Sequence, residues 1–152
     1  MPESETIRLQ KRAEQYIRQT KYREALAILD QAIRLDPKNA GSWYLRASAK
    51  IEMENFAEAI GDCEQALAIN PNYADAWTKK ALAQYHLEQY IPALASSTRA
   101  STLNANDASA WYIRGICLEE LGKSEEAEIA YAKSLELEII LDIKEEGKRI
   151  RK

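Results

Sequence analysis

Three tryptophans, Trp43, Trp77 and Trp111, stand 34 residues apart in a chain of 152. So even a spacing of so large a side chain demands a repeated unit, and a repeat constrains a fold more tightly than any single motif. Set in rows of 34, the chain lines up with itself. Leu9 takes the tryptophan place in the first row, and four residues on the column reads Ala13, Ala47, Ala81 and Gly115. Tyr22, Phe56 and Tyr90 form a third column, with Ser124 as its weak member. Ala25, Ala59, Ala93 and Ala127 form a fourth, and Ala32, Ala66, Ala100 and Ser134 a fifth.

Each row divides into two helical stretches. Trp77, Ala81, Gln84 and Tyr85 follow the i, i+4, i+7 spacing of one helix face, as do Ala59, Cys63, Ala66 and Leu67 in a second half-row. Pro37 and Pro71 stop the helices that precede them, while Asn39 and Asp107 suit the N-cap of the next. The pattern predicts helices near 5–19, 22–35, 40–53, 56–69, 74–87, 90–103, 108–121 and from 124 onward. Pro92 falls in the first turn of its helix, where a missing N–H is no loss. The two small-residue columns mark where paired helices cross, since only side chains this small let backbones approach closely. A single pair cannot bury its apolar surface alone, so the pairs must stack.

These columns resemble the tetratricopeptide repeat family, whose Trp, small residue, Tyr, Ala, Ala and Pro pattern recurs four times over about residues 6 to 139. The resemblance implies an all-α fold, an α-solenoid wound as a right-handed superhelix of four units, with the first helix of each pair lining a concave groove. Units are expected near 6–39, 40–73, 74–107 and 108–139, making an array over 1–139, with 140–152 continuing the last helix into a basic tail. Departures from the pattern are Leu9 for Trp, Ala105 for the closing Pro, Ser97 beside Leu29 and Tyr131, and no Pro after the fourth unit.

The face that rests on the preceding unit reads Ser42, Ala49, Met53, then Ala76, Ala83, Leu87, then Ala110, Cys117, Leu121. In the first row it reads Arg8, Gln15, Gln19, a switch to polar residues that suits an uncovered end. The array is therefore expected to start here, not to be cut from a longer solenoid. Arg12, Arg46, Lys80 and Arg114 form a basic column on the same flank. It is expected to pack its stems over the adjoining helix, with phosphate binding as the alternative.

Chemistry is scarce. His86 is the only histidine, and no Gly-rich phosphate loop, nucleophile elbow or CxxC pair occurs, so no catalytic residue, metal ligand or cofactor is expected. Cys63 and Cys117 read as buried reduced thiols. A net charge of −3 lacks the basic footprint of a nucleic-acid binder. No apolar run is long enough to span a membrane, and the first residues lack a signal-peptide core. The chain is accordingly expected to be cytoplasmic, with neither nucleic acid nor membrane as partner.

Function is then expected in recognition. Helical geometry together with the family's groove places an apolar, tyrosine-rich strip of Tyr44, Ile51, Leu82, Tyr85, Tyr112 and Ile116 along the concave side. The strip is either a site for a protein or peptide with apolar side chains or the inner wall of a tight superhelix. Some family members clamp the C-terminal carboxylate of chaperones with a Lys/Asn/Lys/Arg set. The corresponding places here hold Gln10, Glu14, Leu45, Asp75 and Lys79, of which only the lysine fits, so that partner is not expected. Beyond Ser134 no Pro or Gly interrupts the last helix until Gly147, which predicts an unbroken run to about Lys144–Glu146. Leu137, Ile140 and Leu141 fall on one side of it, and Ile139, Ile143 and Ile150 on another. Ile139, Ile140 and Ile143 are the candidate contacts of a homodimer; the alternative is a helix that only caps the array.

Overall fold

The computed structural model describes residues 3–151. It contains eight helices among these residues: α1 (Glu5–Arg18), α2 (Tyr22–Leu35), α3 (Ala40–Glu52), α4 (Phe56–Ile69), α5 (Ala74–His86), α6 (Tyr90–Leu103), α7 (Ala108–Glu120) and α8 (Ser124–Ile150). The all-α solenoid expected from the period is what forms. Each helix packs on the next, and each odd-numbered helix also touches the following odd-numbered one. No two even-numbered helices meet, so the stack curves with α1, α3, α5 and α7 on its inside.

Local chemistry repeats with the sequence. Within each unit the first helix ends in a residue with left-handed backbone: Thr20 (φ 59°), Glu54 (φ 60°), Glu88 (φ 58°) and Gly122 (φ 74°). That conformation closes a six-to-one turn, in which the N–H of Lys21, Asn55, Gln89 and Lys123 donates to the carbonyl of Tyr16, Lys50, Gln84 and Leu118. Asn39 and Asp107 cap α3 and α7 by accepting from the N–H of Ser42 and Ala110. Tyr73, in the same place before α5, has no capping oxygen.

The small columns lie where expected. Ala13, Ala47, Ala81, Ala25, Ala59 and Ala93 are fully buried, and Ala127 nearly so. The tryptophans do more than fill space. Each indole N–H donates to a backbone carbonyl six residues earlier: Trp43 to Pro37 (2.9 Å), Trp77 to Pro71 (2.8 Å) and Trp111 to Ala105 (2.9 Å). Because the acceptor is main chain, Ala105 replaces proline without loss of the lock.

Two expectations need correction. α8 runs through Gly147 to Ile150, about one turn beyond the predicted end. Gly147 is not among the positive-φ residues, and glycine in helical backbone costs only about 1 kcal/mol. The Lys148–Glu145 contact (2.7 Å) and the cations Lys148 and Arg149 in the last turn favour continuation. Second, Ile51 is buried in a core cluster with Ala47, Ala59, Cys63 and Ala83, with Leu82 packed against it. The next unit covers it, so it cannot line an open groove.

Candidate functional site

The inner helices converge on a depression of about 230 Å³ lined by Tyr44 from α3, Asp75, Thr78, Lys79 and Leu82 from α5, Ile113 and Ser109 from α7, and Asp107. Its floor is braced across units. The Thr78 hydroxyl donates to Asp107 (2.7 Å), whose other oxygen caps α7. Tyr44 rests on Tyr73 with ring centroids 5.1 Å apart. Burial, reinforced by the Asp75 carboxylate, raises the Tyr44 phenol, and the Ser48 hydroxyl opposes this. Burial likewise pushes Tyr73 up to about 12, with Tyr44, Asp75 and Glu14 adding to it. Both hydroxyls therefore stay neutral donors at physiological pH.

Beside the depression opens a larger cleft of about 610 Å³. One wall is the turn from α6 to α7, with Asn104, Asn106 and Asp107, and the start of α7, with Ala108 and Ser109, together with Asp75. The other is the overhang of α8, with Leu137, Ile140, Leu141 and Lys144. Asp75, Asp107 and Ser109 line both hollows, so the two adjoin.

Of the strip read from the sequence, only Tyr44 and Leu82 line the depression. Tyr85 and Tyr112 belong to a tyrosine group farther along α5 and α7. Tyr85 lies 5.8 Å from Tyr90, and the exposed Tyr112 lies 5.8 Å from Tyr131, ring centroid to ring centroid. Tyr131 donates to Glu119 (2.6 Å); burial and that carboxylate hold its phenol well above the usual range. Ile116 is half-buried on α7. His86 is exposed and stacks flat on Phe56, 4.5 Å between centroids. The cleft residues Asn104 and Asn106 went unread because turn residues carry no face periodicity.

Ile139, Ile140 and Ile143 do not share a face. Ile140 lines the cleft, whereas Ile139 and Ile143 do not; all three are exposed.

The basic column is accounted for within the fold. Arg46, Lys80 and Arg114 sit over Trp43, Trp77 and Trp111 at 4.8, 5.5 and 5.2 Å from the rings, and Arg12 over Tyr16 at 5.8 Å. Arg46 also pairs with Asp30 and with the buried Asp62, both at 2.8 Å, and Lys80 with Glu64 at 3.2 Å. Such groups are not a free ladder for phosphates. Cys63 and Cys117 are free and buried, and burial raises their thiols to about 12 and about 11. Among the described residues no group of His, Cys, Asp and Glu could hold a metal ion, and no helix is long and apolar enough to cross a membrane.

Stacked helix pairs with a braced, open concave side define a helical-repeat scaffold. The chain belongs to the tetratricopeptide repeat family: the family profile described as tetratricopeptide repeat matches residues 13–76. A second profile, for anaphase-promoting complex (cyclosome) subunit 3, matches residues 55–134. Among solved structures the chain is similar to MamA, with 24% identity over 91% of this chain and 81% of that one, at a TM-score of 0.81. It is also similar to the first TPR of Spaghetti (RPAP3) bound to the HSP90 peptide SRMEEVD, with 27% identity over 77% of this chain and 93% of that one (TM-score 0.75). The first TPR domain of human RPAP3 matches at 25% identity over 86% of this chain and 95% of that one (TM-score 0.68). No curated protein sequence matches the chain.

Proposed function

We propose that the chain is a non-catalytic, cytoplasmic scaffold that holds a partner segment along its concave side. The observation that carries this reading is the adjoining pair of hollows, which share Asp75, Asp107 and Ser109 and run from Tyr44 to the α8 overhang. The partner is a peptide or helix with two or three apolar side chains, received by Tyr44, Leu82, Leu137 and Ile140. Tyrosine suits this role because it gives contact area at small entropic cost. An acidic peptide such as SRMEEVD does not fit, since Asp75 and Asp107 line the hollows and Glu14 lies near Tyr73.

Selection from a displayed peptide library tests the reading. Enriched peptides are expected to be apolar, to bind at roughly micromolar affinity, about −8 kcal/mol, and to tolerate salt. Tyr44→Ala with Ile140→Ala should weaken them at least tenfold without unfolding the chain. Binders that survive that double variant and collapse with salt, or tight binding of SRMEEVD, refute it. A second reading, self-association through α8, is favoured by the exposure of Ile139, Ile140 and Ile143.

A further inference from the structure

Buried contacts of α8 end at Ser134, yet the helix continues to Ile150. At 100° per residue, the side turned away from α7 carries Ile129, Ala132, Leu135, Ile139, Ile143 and Ile150, with Glu125, Glu128, Glu136 and Glu146 among them. None of it is covered: Ile129 is 70%, Ile143 63% and Ile150 85% exposed. The stripe is roughly 30 Å long at 1.5 Å per residue, and it is separate from the cleft face of Leu137, Ile140 and Leu141.

We infer that the distal part of this outer stripe, from Leu135 to Ile150, pairs with the same segment of a second copy, antiparallel, about a two-fold axis near Ile143. The inference rests on the second reading above, self-association through α8, and fixes the face and direction of the contact.

Three observations select this occupant and orientation. Another copy stacking head to tail would need an apolar outer face on α1, but Arg8, Gln15 and Gln19 there are polar and exposed. A stripe that meets itself closes the assembly at two copies, because both sides of the contact are the same surface. Charge then sets the direction. Glu136 and Glu146 lie within the stripe and Asp142 beside it, while Arg149 and Arg151 flank its end. Parallel helices would set cation beside cation and acid beside acid. Antiparallel helices about Ile143 place Arg149 and Arg151 opposite the segment around Glu136 and Glu138, and oppose the two helix dipoles. Gly147 fits the same arrangement. A Cβ there would meet nothing within 4 Å, so the chain's own packing gives no reason for glycine. In the antiparallel pair it faces the partner's Ile139.

The chain of 152 residues provides the test. Light scattering at tens of micromolar should give twice the mass of the 17.3 kDa chain. Ile139→Glu with Ile143→Glu should restore the single mass with helix content unchanged, whereas Leu137→Glu with Leu141→Glu should leave the dimer intact. Direction is read with a short bismaleimide, the buried Cys63 and Cys117 being poor targets. Ile143→Cys should link to itself. Ile150→Cys should not, but should link to Glu136→Cys in a mixture. A single mass for the intact chain overturns both this inference and self-association. A dimer lost only with the Leu137/Leu141 variant, or one in which Ile150→Cys links to itself, overturns the antiparallel stripe and leaves self-association standing.

Discussion

Gly115 occupies the place filled by Ala13, Ala47 and Ala81, and the reason lies in the facing helix. A Cβ at Gly115 would come within 2.7 Å of both Cδ1 and Cε1 of Tyr131, closer than packed carbons approach. The ring cannot easily give way. Its hydroxyl is tied to Glu119 at 2.6 Å, and Tyr112 lies 5.8 Å from it. In the first unit the equivalent pair is Ala13 and Leu29, both fully buried in one cluster. Taken alone, Gly→Ala inside a helix gains about 1 kcal/mol. Here overpacking of about 1–3 kcal/mol opposes it, so Gly115→Ala should destabilise by about 1 kcal/mol. In a Tyr131→Leu background the clash is gone and the same substitution should stabilise by about 1 kcal/mol. The expected coupling, about 2 kcal/mol, is within the usual range for contacting residues. Urea unfolding of the four proteins, followed by circular dichroism, reads it directly. If Gly115→Ala stabilises in both backgrounds, the small-residue column is not set by helix crossing.

Other outcomes follow from single features. Thr20, β-branched at φ 59°, is strained where Gly122 is not, so Thr20→Gly should raise stability by about 1 kcal/mol and Gly122→Ala lower it by a similar amount; thermal melts decide. Asp62 is bound by Arg46 and Lys50, at 2.8 and 2.9 Å, with little exposure of any of the three side chains. Asp62→Asn should cost about 2 kcal/mol by removing the buried acid, since Arg46 keeps Asp30 and Lys50 keeps Glu58, and an effect below about 0.5 kcal/mol would contradict that network. Burial raises the Cys63 and Cys117 thiols from 9.0 to about 12 and about 11, so the folded chain holds these protons where the unfolded chain loses them. Their stabilising contribution is whole below pH 9.0 and is lost as pH rises toward those values. The slope should be about 1.4 kcal/mol per pH unit for each thiol. Denaturant titrations at pH 8 to 10.5 should show a shallower fall for Cys63→Ala than for the parent.

The helices and crossings were legible because they depend on which side chains recur, and a period of 34 displays that directly. The indole locks were not, since Trp43, Trp77 and Trp111 donate to main-chain carbonyls that no residue pattern announces. The strip divided for a related reason. A helical wheel shows the side of α3 on which Ile51 lies, but not that Leu82 and Ala83 of the next unit close over it. Gly147 misled in the opposite way: read as a stop, it is a glycine in ordinary helical backbone, carried by the charges around it.

The polar links between units also differ along the array, and this bears on where a partner acts. In a linear repeat each unit is held only by its neighbours, so every junction carries its own stability. The first two units are joined by Gln10 to Asn39 and Ser42 and by Arg46 to Asp30. The next two share Lys80 with Glu64. At the last junction the acid column reaches Thr98, and Arg114 makes no ion pair among the described residues, keeping only the face of Trp111. What binds the fourth unit is Thr78 to Asp107, the residue that caps α7, and apolar packing of Leu118, Ala127 and Ala130 against Leu94. Asp107 thus braces the junction, caps α7 and lines both hollows. The weakest polar junction is therefore the one that the groove crosses, and the α8 wall of the cleft is carried by the unit beyond it. A ligand spanning Tyr44 to Ile140 would bridge that junction, adding contacts where the described residues supply fewest ion pairs between units.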